Sequence, residues 1–199
     1  MAFPTTPTDS RRPPLVLASA SPRRRQLLRE VGLAFVVDAA GIDEAALPGE
    51  TPAAHVLRLA LAKADAVTAR HPQQLVLGAD TVVVLDDTIF GKPADLKQAG
   101  QMLGQLSGRW HDVLTGVALV RREPACRHAW VCRTRVRFKT LSSAVIQEYC
   151  ARANPLDKAG AYGIQEHGEL LVAEIDGRRS NVVGLPIEEV VAALRGLAE

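Results

Sequence analysis

The sequence predicts an α/β fold in which a mixed β-sheet has helices on its faces and bends into two lobes around a cleft. Two observations favour this fold. Apolar strand-like runs alternate with helical segments over the first half of the chain, whereas the later strands show antiparallel signals. With 199 residues, the chain is long enough to bury a well-formed core.

The first predicted unit is a strand, a short loop and a helix within residues 15–28. Leu15-Val16-Leu17-Ala18 is an apolar run of the kind that forms a buried strand. Ser21 offers a side-chain oxygen as the helix N-cap, and Pro22 suits the first helical position because its missing N–H would be unpaired there. A helix is therefore expected directly after a small, hydroxyl-bearing loop.

Three consecutive arginines, Arg23-Arg24-Arg25, fall in the first turn of that helix. This end of a helix is already positive, so a cation there is disfavoured by roughly 0.3–1 kcal/mol. A bound anion reverses the effect, because backbone N–H groups, the Ser19 and Ser21 hydroxyls and a guanidinium can together bind phosphate or carboxylate. The alternative is that the arginines extend into solvent, but the serines and proline in register favour an anion site.

Apolar periodicity and capping residues predict the remaining elements. Thr51, Asp95 and either Ser142 or Ser143 are the expected N-caps of three helices. Strands are expected at 35–37, 75–85, 89–90, 113–121, 131–140 and 169–175, and helices at 52–70, 96–106, 143–152 and from Pro186 onward.

Composition and charge narrow the class of protein. Apolar residues make up 47% of the chain and the formal net charge is only +2, which argues against a nucleic-acid coat or a membrane-surface protein. The cysteines Cys126, Cys132 and Cys150 lack metal spacing and indicate reduced thiols, so the cytoplasm is the expected compartment. Residues 1–14 are rich in proline and polar side chains, which predicts a disordered extension ahead of a single domain at 15–199.

Two charged residues lie where an ordinary core is apolar. Asp80 interrupts the 75–85 run, and a buried carboxylate is costly unless it finds a cation, several donors or a proton. It is a candidate for holding Mg²⁺ or taking a proton from water. Lys63 falls within the apolar face of the 52–70 helix, where it either reaches solvent along its stem or meets a phosphate in a polar cleft.

Two loops add further polar groups. Lys92 stands in a stiff Gly-Lys-Pro loop, which by itself is typical of a surface turn. Residues 157–165 bring an acid, a base, small residues and an amide into one short segment, whose glycines permit close backbone approach. Gln165, at the end of that segment, can both donate and accept hydrogen bonds at the edge of a nucleobase.

Five motifs together resemble the Maf family of nucleotide pyrophosphatases, once described as septum formation inhibitors. They occur in the family's order and extend over nearly the whole chain from Leu15 onward. The motifs are Ser19-Ala20-Ser21-Pro22-Arg23-Arg24, Gly78-Ala79-Asp80-Thr81, Gly91-Lys92-Pro93, Asp157-Lys158-Ala159-Gly160-Ala161-Tyr162-Gly163-Ile164-Gln165 and Asn181-Val182-Val183-Gly184-Leu185-Pro186. Each motif alone is weak, but the set is highly specific.

The resemblance implies a Maf/Ham1 (ITPase-like) α/β fold and hydrolysis of nucleoside triphosphates to monophosphate and pyrophosphate. The implied cofactor is Mg²⁺, with Mn²⁺ as the alternative. The family pattern assigns Asp80 as the proton acceptor. It makes Glu44 either a metal ligand together with Asp80 or the acid that positions the attacking water. The implied substrate-binding residues are Ser19, Arg23, Arg24, Lys63, Thr81, Lys92 and Gln165.

Arg23, Thr81 and Gln165 match the positions that separate the subfamilies. The Ala-Asp-Thr and Tyr-Gly-Ile-Gln forms resemble the branch acting on dTTP and UTP, rather than the branch acting on 7-methyl-GTP. Nucleic acid and membrane are not expected partners, and a homodimer is left open. One departure is Arg178-Arg179-Ser180, which stands where family members often have Ser-Tyr.

Two alternatives from other classes stay open. The first is a non-catalytic nucleotide sensor that regulates cell division through the same pocket and releases no pyrophosphate. The second is a nucleic-acid-binding module built on the alternating basic residues Arg133, Arg135, Arg137 and Lys139. A solvated outer face that discourages edge-to-edge pairing explains the same alternation, whereas a steep salt-dependent affinity for oligonucleotides would support the module.

Overall fold

The computed structural model describes residues 14–197, so the predicted extension at 1–14 lies, apart from Pro14, outside the described residues. Within 14–197 the chain forms one mixed sheet flanked by helices, which confirms the predicted fold class. The strands are β1 (Leu15–Leu17), β2 (Phe35–Val37), β3 (Val76–Leu85), β4 (Thr88–Phe90), β5 (Trp110–Arg121), β6 (Cys126–Phe138) and β7 (Val172–Asp176). The helices are α1 (Pro22–Glu30), α2 (Pro52–Thr68), α3 (Leu96–Leu106), α4 (Ser143–Arg152), α5 (Arg179–Val183) and α6 (Ile187–Gly196).

The order of strands in the sheet is β2-β1-β3-β5-β6-β7, with β4 paired to β3. β1 runs parallel to both β2 and β3, because α1 and α2 serve as the crossover connections that parallel pairing requires. All the other pairings are antiparallel. The long β3–β5 pair extends from Val76 opposite Val120 to Val84 opposite Asp112 and forms the centre of the sheet.

Helices cover both faces of this sheet. Leu17 of β1 packs in one core cluster with Leu28 of α1 and Val190 of α6, whereas its neighbour Val16 packs in another with Ala60 of α2. The alternation follows from the two-residue period of a strand, which sends successive side chains to opposite faces. A further cluster between α3, α4 and β6 forms the core of a second lobe.

Several predicted bounds differ from the structure, among them that of the strand expected at 113–121, which begins at Trp110. The strand expected at 169–175 begins only at Val172, because residues 168–170 form a 3₁₀ turn after His167, whose φ is +56°. The basic strand expected at 131–140 begins at Cys126 and ends at Phe138. Pro186 is the N-cap of α6 instead of its first residue, and the short α5 before it was not expected.

Candidate active site

A cleft of about 700 Å³ lies between the two lobes, beside the end of β1 and the middle of β3. Its volume falls within the range of about 300–1,000 Å³ that small-molecule sites occupy. All nine residues that the sequence singled out for the site line this cleft. They are Ser19, Arg23, Arg24, Glu44, Lys63, Asp80, Thr81, Lys92 and Gln165.

The charged centre of the cleft is an ion pair between Lys63 and Asp80. The Lys63 Nζ atom lies 2.7 Å from Asp80 Oδ1 and 2.7 Å from Glu44 Oε1. Lys63 and Asp80 are almost fully buried, whereas the Glu44 side chain is 54% exposed. Burial opposes ionisation of Glu44, but the hydrogen bond and charge of Lys63 outweigh it and lower the pKa of that carboxyl. Lys63 therefore points into the cleft instead of reaching bulk solvent.

Two glycines of the sheet allow α2 to lie close enough for this contact. A Cβ at Gly78 would overlap the backbone carbonyl of Ala60, and one at Gly116 would overlap that of Val56. Only hydrogen at both positions lets the helix backbone rest directly on β3 and β5. The close approach brings Lys63, three residues beyond Ala60, alongside Asp80, two residues beyond Gly78.

Arg24, in the first turn of α1, is buried and connects several segments of the cleft wall. Its Nε donates to the Gly184 carbonyl at 2.8 Å, and its Nη1 donates to the Ala79 carbonyl at 2.9 Å and the Ser19 hydroxyl at 3.0 Å. Its Nη2 donates to the Thr81 hydroxyl at 3.1 Å. Four of the five guanidinium N–H groups thus have protein acceptors, and burial lowers the pKa of Arg24 despite the opposing charge of Asp80.

The first turn of α1 has the geometry expected of an anion site. The Ser21 hydroxyl caps the helix by accepting from the Arg24 N–H, and the Ser19 hydroxyl accepts from the Ser21 N–H at 3.3 Å. Arg23 does not extend into bulk solvent, because its Nη1 donates to Asp157 Oδ2 at 3.0 Å. This pair joins the first turn of α1 to the 157–165 loop across the cleft.

Lys92 and Gln165 stand at the exposed rim of the cleft. Residues 162 and 163, just before Gln165, are held in place by hydrogen bonds that involve buried aromatic side chains. The Gly163 N–H donates to the Tyr149 hydroxyl at 2.9 Å, and the Tyr162 hydroxyl lies 2.8 Å from His111 Nε2. Burial lowers the pKa of His111 to about 4 and raises the pKa of Tyr162, so both stay neutral near pH 7.

Sequence reasoning did not single out two further buried residues that line the cleft. His55 precedes Leu59 and Lys63 at four-residue spacing on α2, a spacing that the helical period could have indicated. Its Nδ1 lies 3.0 Å from the Glu50 carboxylate. Lys158 lies within one of the five motifs, but nothing in the sequence distinguishes it from an exposed loop lysine.

The segment that departs from the family pattern, Arg178-Arg179-Ser180, lies beside the rim of the cleft. The Arg178 Nε donates to Glu189 Oε1 at 3.0 Å, and Ser180 Oγ donates to Glu188. The exposed Arg179 lies with its Nη2 3.5 Å from the Ile164 carbonyl, one residue before Gln165. The arginines are therefore accommodated at the outer side of α5 and α6, with Arg179 close to the rim.

Glu44 and Asp80 fit a magnesium site of the kind completed by substrate. Both offer carboxylate oxygens and share one cation, Lys63, in the cleft. No cluster of three or more potential ligands occurs among residues 14–197. Mg²⁺ is commonly bound by only one or two carboxylates together with phosphate oxygens and water, so two acids are sufficient protein ligands for it.

The alternating basic residues of β6, and Lys139 directly after it, have partners outside the cleft. Arg133 pairs with Asp112 at 2.8 Å and Arg137 with Glu174 at 3.0 Å. Arg135 lies 4.7 Å above the centre of the Trp110 ring, a cation–π distance. The Lys139 ammonium donates to the carbonyl of Glu169. No helix among residues 14–197 is long and apolar enough to cross a membrane.

The fold and the cleft define a class of protein: a mixed-sheet α/β protein whose two lobes enclose a cation-rich site for an anionic ligand. The Staphylococcus aureus Ham1 protein has a similar fold, with a TM-score of 0.52 over 92% of this chain and 99% of that chain, at 13% identity. The chain belongs to the family of Maf-like proteins, whose model matches residues 14–197.

Two curated relatives are described as dTTP/UTP pyrophosphatases. The relative from Symbiobacterium thermophilum is 54% identical over 90% of this chain and 92% of its own length. The relative from Myxococcus xanthus is 53% identical over 90% of each chain. Together with the family model, these similarities confirm the family resemblance that the five motifs indicated.

Proposed function

We propose that this protein is a nucleoside triphosphate pyrophosphatase that hydrolyses dTTP and UTP to the monophosphate and pyrophosphate. The observation that carries the proposal is the buried Lys63–Asp80 pair, which places a cation and a carboxylate together at the cleft surface. The names of the two bacterial relatives support the substrate class. Gln165 at the rim supplies the donor and acceptor that a thymine or uracil edge requires.

In the proposed reaction, the triphosphate lies across the first turn of α1, where Ser19, Ser21 and the first residues of the helix line the cleft. Lys63 and Lys92 add positive charge against the phosphate oxygens. A water molecule attacks the α-phosphorus and gives its proton to Asp80. The new bond joins the water oxygen to the α-phosphorus, and the bond to the oxygen bridging the α- and β-phosphates breaks to release pyrophosphate.

We further propose that Glu44 and Asp80 hold Mg²⁺ in the substrate complex. When bound, Mg²⁺ would neutralise charge on the phosphate oxygens. Lys63 keeps both carboxylates close together before substrate arrives. We expect hydrolysis to stop when EDTA removes divalent cations and to return when Mg²⁺ is added, with Mn²⁺ as the comparison; full activity in EDTA would contradict this proposal.

A panel of dTTP, UTP, CTP and GTP, assayed separately for pyrophosphate and orthophosphate, tests the function. We expect pyrophosphate without orthophosphate, with dTTP and UTP as the best substrates. Orthophosphate as the first product would contradict the proposal, because it would show that water does not attack the α-phosphorus. Tight nucleotide binding without any product would favour the non-catalytic sensor instead.

A further inference from the structure

We propose that Lys158 is a positioning residue that holds the loop bearing Gln165 and thereby sets the selectivity among pyrimidine nucleotides. The proposal rests on the proposed function and extends it to a residue that contacts neither the reacting atoms nor the base. Lys158 thus affects which base is bound, whereas Asp80 takes part in the hydrolysis itself.

Lys158 differs from the other cleft lysines in having three protein oxygens close to its ammonium. Its side chain is 3% exposed. Its Nζ donates to the Asn154 carbonyl at 2.5 Å and to Asp157 Oδ1 at 2.6 Å, and lies 2.7 Å from Glu166 Oε2 in an ion pair. An ammonium group has three N–H donors. Because three protein oxygens surround the ammonium, Lys158 is held by the loop and is not placed to bind a phosphate.

The stem of Lys158 supports the loop in a second way. It passes so close below Gly163 that a Cβ there would lie 2.6 Å from Lys158 Cε and 2.8 Å from Cδ. Gly163 and Glu166, which flank the Ile164–Gln165 pair, are thus both fixed by the same side chain. The position of Gln165 between them depends on Lys158 from both directions along the chain.

The same network reaches the phosphate side of the cleft. Asp157 binds Lys158 through Oδ1 and Arg23 through Oδ2, at 2.6 Å and 3.0 Å. Burial opposes ionisation of Asp157, but the hydrogen bonds from Lys158 and Arg23 lower its pKa overall. The chain of contacts from Glu166 through Lys158 and Asp157 to Arg23 fixes the base-reading loop relative to α1, so Gln165 is held at a set distance from the phosphates.

Lys158→Met tests this arrangement, because methionine keeps most of the stem over Gly163 and removes the ammonium. The Asp157 and Glu166 side chains are 46% and 40% exposed, so water can solvate both after the change and the fold should survive. We expect the ratio of kcat/KM for UTP over CTP to fall by about tenfold, with KM for UTP changing more than kcat. Binding of pyrophosphate alone should not change.

Glu166→Gln removes the negative charge from one contact of the same network and should shift the ratio in the same direction by less. The matched control is Glu174→Gln, which breaks the similarly exposed Arg137–Glu174 pair away from the cleft and should leave the ratio unchanged. A wild-type ratio in both Lys158→Met and Glu166→Gln would overturn the proposal, as would a parallel loss of pyrophosphate binding. Failure of the wild-type protein to hydrolyse UTP would instead overturn the proposed function.

Discussion

The Lys63 ammonium lies 2.7 Å from the Asp80 carboxylate, so the two buried charges that stand out in the sequence neutralise each other. Either charge alone would be costly in this position, because burial removes water without supplying a partner. The pair nevertheless lines an open cleft, where a substrate can reach it. A stable buried pair that is also accessible to a ligand is the central feature of the proposed mechanism.

Replacing Asp80 with asparagine tests the proton acceptor. The substitution Asp80→Asn is nearly isosteric, but the amide cannot accept the proton. We therefore expect kcat to fall by roughly 100-fold or more, the size of effect that loss of a general base produces. The melting temperature should stay close to that of the wild type. Asp65→Asn, on the outer side of α2, is the control, and near-normal turnover in a folded Asp80→Asn variant would remove Asp80 from the mechanism.

Replacing Lys63 with methionine tests the buried cation. Lys63→Met retains the packing of the stem but removes the charge between Asp80 and Glu44, so triphosphate binding or turnover should fall by roughly tenfold or more. Steady-state kinetics with UTP measures both quantities. Lys97→Met, an exposed lysine on α3, should have no effect, and unchanged kinetics in Lys63→Met would exclude a role for its charge.

Arg24 is expected to contribute to stability as well as to the anion site. Arg24→Lys cannot reach the Gly184, Ala79 and Thr81 acceptors in the same fork geometry, and leaving buried acceptors unpaired costs about 1–3 kcal/mol. Denaturant unfolding should show a loss of this size. Arg29→Lys, in the exposed last turn of α1, is the control; equal stability of the two variants would contradict the prediction.

Gln165 is expected to read the pyrimidine edge. Cytosine presents an amino group and an unprotonated ring nitrogen where uracil has a carbonyl and an N–H, and such a mismatch costs about 1–3 kcal/mol. We therefore expect UTP to be preferred over CTP and the preference to narrow in Gln165→Ala, measured as kcat/KM. An unchanged preference for UTP in this variant would indicate that Arg23 and Thr81, not Gln165, discriminate between the bases.

Acid should loosen the loop that presents Glu44, because that loop is tied down at both ends by carboxylates. Hydrogen bonds from Arg70 and then His71 lower the pKa of Asp38 to about 2, and those led by Arg58 lower the pKa of Glu50 to about 2. A carboxyl group with a depressed pKa stabilises the fold above its unfolded pKa, near 4, and this contribution is lost as the pH falls toward the folded value.

The free energy of unfolding should therefore fall as the pH is lowered from about 4.5 to about 2. Glu50→Gln should be less stable than the wild type at neutral pH and should lose less stability over that interval. Denaturant unfolding at a series of pH values measures both. Identical pH slopes for the two proteins would show that Glu50 does not contribute to acid sensitivity.

The local elements were predictable because their signals lie within a few residues of one another. Ser21, Thr51, Asp95 and Ser142 each cap the helix that follows by accepting from a backbone N–H three residues on, as their types predict. The boundary of β7 was not predictable in this way. Its apolar residues fit a strand, and only the 3₁₀ turn at 168–170 delays the start of pairing.

The features of the candidate site also fall into those that local sequence patterns predict and those that depend on tertiary contacts. The sequence by itself determined that Lys63 lies on the buried face of its helix and that Asp80 interrupts a buried strand, since both follow from periodicity. Only the tertiary structure decided that these two residues meet, that Arg24 reaches Gly184, and that three protein oxygens surround the Lys158 ammonium. Such contacts join residues far apart in the chain, and they depend on how closely α2 packs on β3 and β5 and on which loops close over the cleft.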